Sequence, residues 1–61
     1  MNAERKKKVT SAIQLLTEAR DEEQEAYDNL PEGLQSGDKG DTMQTWIDAL
    51  TEAIDNLEGL E

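Results

Sequence analysis

The stretch DTMQTWIDALTEAIDNLEGL, Asp41 to Leu60, constrains the fold more than any other part of the chain. Met43, Leu50 and Leu57 recur seven residues apart, Trp46, Ala53 and Leu60 form a second column, and Ile47 and Ile54 a third. This is the pattern of an amphipathic helix with an apolar face about three columns wide. A strand is excluded because the adjacent pair Trp46 and Ile47 breaks any period of two. Asp41, Asp48, Glu52 and Asp55 occupy the opposite side. Asp41 reads as the N-cap, with Gln44 reaching back to it in a capping box, and Gly59 as the stop. A face this wide suits a helix that touches two neighbours, as in a bundle, rather than the narrow seam of a two-stranded coiled coil.

The rest of the chain supplies the first neighbour. Residues 2 to about 29 form a run without Gly or Pro, rich in good helix formers. Val9, Ala12, Ile13, Leu16, Ala19, Ala26, Tyr27 and Leu30 fall near one face, interrupted by Glu23, and the alanines permit close approach of another helix. Glu4 and Lys8 are spaced as a favourable i,i+4 pair. The basic run Arg5–Lys8 opposes the helix macrodipole at that end, a mismatch relieved if Glu58 and Glu61 lie alongside. An antiparallel hairpin places them there. Pro31 ends the first helix, and the connector, residues 30 to 40, carries Gly33, Gly37 and Gly40 as punctuation. Leu30 and Leu34 are expected to tuck under the open end of the hairpin. The second helix is expected over about 41–58.

A single all-α domain of 61 residues with 34% hydrophobic residues has little core to work with. Chains this short generally recruit disulfides, a metal or another subunit. Cysteine and histidine are both absent, so disulfides are excluded and a zinc site would need carboxylates alone. Self-association remains. Two antiparallel hairpins are expected to dimerise into a four-helix bundle, with Trp46 near the seam.

Charge limits the partners. Residues 1–8 hold four basic residues against Glu4, a net of +3, and residues 9–61 hold Arg20 and Lys39 against fourteen acids, a net of −12. Such a surface repels phosphates, which argues against nucleic acid and anionic membranes. Met1 is followed by polar residues, with no signal-peptide core or long apolar run, so a soluble cytoplasmic protein is expected.

Chemistry-bearing motifs are sparse. SGDKGDT glances at a calcium loop, but counting from Asp38 puts Gly40, Thr42 and Ala49 where ligands belong at positions 3, 5 and 12. It reads instead as a solvated turn and helix cap. No nucleophile–base pair involving His or Cys can exist, and the glycines fit no phosphate loop. The acidic run Asp21, Glu22, Glu23, Glu25, Asp28 lacks a pocket to shift its pKa values. The expectation is therefore a non-enzyme with no cofactor and no metal. Arg5–Lys8 reads as a solubilising terminus rather than a nucleic-acid contact.

Two surfaces remain as candidates. The first is the apolar set Val9, Ile13, Leu16, Tyr27, Met43, Trp46, Ile47, Leu50, Ile54 and Leu57, as self-interface or partner-binding residues. Trp46 and Tyr27 fit core or self-interface better than an anchor for a foreign protein. The second is an acidic face of Asp21, Glu22, Glu25, Asp48, Glu52 and Asp55. On the second helix Asp48, Glu52 and Asp55 stand about 6 Å apart along the axis, near the spacing of phosphates.

RDEEQEAYDNLPEGLQ followed by WIDALTEAIDNLEGLE, about half the chain, resembles short acidic helical proteins of bacteria and their phages, in which an EAYDNLPEGLQ segment precedes an AIDNLEEA-like helix. The resemblance carries no catalytic motif. It implies a bacterial or mobile-element origin and a role in host–phage interaction. Three readings follow: a helical-hairpin homodimer that binds another protein, an acidic mimic of nucleic acid that occupies a basic groove on a nuclease or DNA-binding protein, and a purely structural oligomerisation module.

Overall fold

The computed structural model describes residues 2–60. Two long helices, α1 (Ala3–Asp28) and α3 (Asp38–Glu58), pack against each other, with one helical turn, α2 (Glu32–Gln35), between them. The result is an elongated helical hairpin, 48 × 15 × 10 Å along its principal axes. No strand occurs among the described residues.

α1 starts where the Asn2 side chain accepts the Arg5 backbone N–H at 2.9 Å, satisfying one of the donors a helix start leaves free. Its other end lacks the usual electrostatic help. The last turn carries no basic residue and ends in Asp28, where the helix dipole disfavours negative charge. The connector answers with neutral donors. The Gln35 side-chain amide donates to the carbonyls of Tyr27 at 2.9 Å and Asp28 at 3.5 Å.

Pro31 both ends α1 and starts α2. It offers no N–H to continue the first helix, while its carbonyl accepts from Leu34 at 2.9 Å and Gln35 at 3.1 Å. The connector is therefore more ordered than its glycines imply. α3 begins at Asp38, three residues before the expected Asp41 cap. Gly37 is the N-cap and contributes no side-chain bond. Asp41 lies inside the helix, with its N–H donating to the Gly37 carbonyl at 3.0 Å. Gln44 does not reach back to it but donates to Asp48 at 3.2 Å. The acids Asp38 and Asp41 still favour this end through the dipole.

Gly40 is the reason α3 can start early. It is buried in the first turn, and a β-carbon there would overlap the Gln35 backbone, lying 2.7 Å from its Cα. Gln35 thus holds α1 by its side chain and rests on α3 by its backbone. Leu30 is half-buried as expected, but Leu34 is 49% exposed. The α2 turn directs it outward instead of under the hairpin.

The core is Met43, Ile47 and Ile54, all from α3. α1 contributes half-buried residues only: Val9, Ala12, Ile13, Leu16, Thr17, Arg20, Glu23, Gln24 and Tyr27. The middle of its inward face is polar, so it cannot be sealed against a single partner helix. The Thr17 and Thr51 hydroxyls satisfy themselves on their own helices, each donating at 2.8 Å to the carbonyl four residues back, Ile13 and Ile47. Glu4–Lys8 and the lysines with Glu58 form no ion pair among the described residues. The pair that does form is Arg20–Asp21, at 3.3 Å. Glu61 lies outside the described residues. No helix among them is long and apolar enough to cross a membrane.

Candidate interaction surface

The apolar face of α3 is wider than α1 can cover. Met43, Ile47 and Ile54 are buried and Leu50 and Leu57 half-buried, but Trp46 is 61% exposed and Leu60 51%. At about 100° per residue, Trp46, Ala53 and Leu60 lie roughly 80–120° round the helix from the Ile47–Ile54 line. They form a flank beside the core rather than part of it.

α1 has a matching flank. Leu15 is 65% exposed and lies on one side of α1 with Ala12 and Ala19, again roughly 60–120° from the line of Val9, Leu16 and Tyr27. Seen from each helix's own N-terminus, both flanks are displaced in the same rotational sense. An antiparallel pair is related by a two-fold axis perpendicular to its helices, so equal displacements fall on the same side of the pair. Leu15 and Trp46 thus belong to one side of the hairpin.

The opposite side is polar, with Thr17 and Gln24 from α1 and Gln44, Asp48, Thr51 and Asp55 from α3. All six acids proposed as a working face are exposed. They do not form one surface: Glu22 and Glu25 lie on the side of α1 away from α3, and Glu52 on the side of α3 away from α1. Asp21 is engaged by Arg20 and Asp48 by Gln44. Asp38 and Asp41 of the calcium-like stretch sit in a helical turn, and no group of three carboxylates gathers to hold a metal ion among the described residues.

Of the ten apolar candidates, nine lie wholly or partly inside the hairpin. Trp46 alone is exposed, and it lies on the surface one chain leaves open beside Leu15 and Leu60, which stand outside that set. Leu15 went unnoticed because it stands beside Leu16 and off the main stripe. The spacing Lys8–Ala12–Leu15–Ala19 is the signal that could have found it. Gln35 and Gly40, which fix the connector, carry no local signal for those roles.

An open groove of about 430 Å³ runs along the same flank, lined by Glu4, Lys7, Lys8, Ser11, Ala12 and Leu15. All six belong to α1, so the groove has one wall. It cannot enclose a small molecule as an active-site pocket would. A helix laid alongside would supply the second wall. Comparison of the chain with protein-family models, curated proteins and solved structures gives no match.

Proposed function

We propose that this chain is a non-enzymatic protein-interaction module. Its hairpin, of phage or mobile-element origin, pairs with a second copy into a four-helix bundle, and the acidic exterior of that bundle meets a host protein in the bacterial cytoplasm. The observation that carries the reading is Trp46. It is the chain's one tryptophan, it is mostly exposed, and it shares a side of the hairpin with Leu15 and Leu60. Clustered exposed apolar side chains mark association surfaces, and Trp is enriched among the residues that dominate them. The surface area points the same way. The chain exposes 4540 Å², against about 4,000 Å² expected for a compact monomer of this mass.

Sedimentation equilibrium with circular dichroism on the same samples tests the proposal. The expected result is a helical dimer for the native chain. Trp46→Glu should yield a helical monomer, since it removes the flank's largest apolar group without touching the core. A dimer that survives Trp46→Glu unchanged sinks the reading.

The exposure of Asp48, Glu52 and Asp55 on successive turns favours a second reading, that of an acidic mimic of nucleic acid in a basic groove. Reversing all three to Lys discriminates the two. Loss of inhibition of a nuclease or DNA-binding protein, with the dimer intact, selects the mimic.

A further inference from the structure

We infer that the second copy packs on the Leu15–Trp46 side end over end, so that the basic terminus of each hairpin lies against the acidic half of α1 in the other. This rests on the reading of that side as the self-interface and adds the orientation, which the exposed flank alone leaves open.

The argument begins with the level of each residue along the hairpin. Gln35 bonds the Tyr27 carbonyl and lies against Gly40, so Gly40 stands near the level of Tyr27. Equal rises along antiparallel helices then put Leu15 near the level of Glu52 and Ala53. The exposed flank is centred there, with Trp46 on one side of that level and Leu60 on the other.

A symmetric pair uses the same patch on both copies, and its two-fold axis can lie along the helices or across them. An axis along the helices superposes like ends. It sets α1 of each copy against α3 of the other, so residues 18–28 of α1 face the like-charged Asp38 and Asp41, while Arg5–Lys8 face Asp55 and Glu58. An axis across the helices inverts one copy. α1 then runs antiparallel to the other α1, and α3 to the other α3.

Charge separates the two. Within α1, residues 1–8 carry a net of +3, while residues 18–28 hold six acids and Arg20, a net of −5. Opposed sign across an interface fixes orientation and register, and like charges facing each other oppose it. An inverted pair centred at Leu15 brings Lys8 to the level of Glu22 and Glu23 of the second copy. The same centre places Ala53 against Ala53, where small residues permit close approach, and Trp46 at the level of Leu60. The one-walled groove at Glu4–Leu15 receives the far half of the second α1. One axis position therefore accommodates the charges, the small residues and the groove together.

Spin–spin distance measurements test this. The chain has no cysteine, so labels can be attached at single sites. Ala3, Glu18 and Glu25 are exposed on α1, outside the groove. In the inverted pair, axial offsets between like labels are about 36 Å at Ala3→Cys, 9 Å at Glu18→Cys and 30 Å at Glu25→Cys. The expected result is a short distance at Glu18→Cys and longer ones, by roughly 15 Å, at the other two. The same distance at all three sites overturns the inverted orientation while leaving Trp46-side association standing. A monomer in the same samples, with no pair distance at any site, overturns both.

Discussion

α1 and α3 are both long helices cut from one chain, yet they bear the fold unequally. α3 supplies every buried apolar side chain, and α1 supplies none. The difference lies in the columns. Along α3 the inward positions are Met43, Ile47, Leu50, Ile54 and Leu57 without a charge among them. Along α1 the corresponding line runs through Val9, Ile13, Leu16 and then Arg20 and Glu23 before Tyr27. α1 thus behaves as a cover with a polar middle. α3 has apolar surface to spare, and the surplus appears as Trp46 and Leu60.

This inequality can be broken most severely in the core of α3. Ile54→Asp places a charge in a buried site at about 3–5 kcal/mol, comparable to the whole stability of a domain this small. Circular dichroism should show helicity lost at room temperature. Ile13→Asp, on the half-buried face of α1, should cost about 1–2 kcal/mol and lower the melting temperature while the chain stays helical. Equal effects from the two substitutions would contradict the asymmetry.

A smaller effect is expected where the two helices are joined. Gly40→Ala drives a methyl into the Gln35 backbone, and overpacking of this kind costs about 1–3 kcal/mol. Gly33→Ala is the control, because a β-carbon at Gly33 meets nothing within 4 Å. Thermal unfolding should separate them, with Gly33→Ala near the native value. Smallest is Gln35→Ala, which removes the donors to Tyr27 and Asp28. A net loss of about 1 kcal/mol is expected, readable as faster amide exchange in the last turn of α1. Unchanged exchange there would mean that solvent serves those carbonyls equally well.

The sequence was most legible where a repeating pattern carried the structure. The helical period of α3, its inward column and the break at Pro31 can all be read from spacing. The connector could not be read that way. Glycine and proline signal a turn, but whether that turn is coil or helix depended on Gln35 meeting residues seven and eight positions earlier. The early start of α3 depended on the missing β-carbon of Gly40, which matters only because another segment lies against it. How much of Trp46, expected near a seam between hairpins, α1 would leave open was not legible for a related reason. A periodicity identifies an apolar face without revealing how much of it one neighbour can cover, and one helix covers less than three columns.

The Gln35 clamp has a consequence for how such a molecule can vary. No polar side chain is buried among the described residues, and the hydroxyls of Thr17 and Thr51 turn back on their own helices. Register is therefore set at the connector and merely propagated along the stem. A stem of this kind can grow or shrink by whole heptads, taken in matched pairs from its two arms, without disturbing the clamp. The connector, with Gln35 and Gly40 fitted backbone to backbone, has no such freedom. The ancestry of the shape would be preserved in those few residues, while overall length is free to drift.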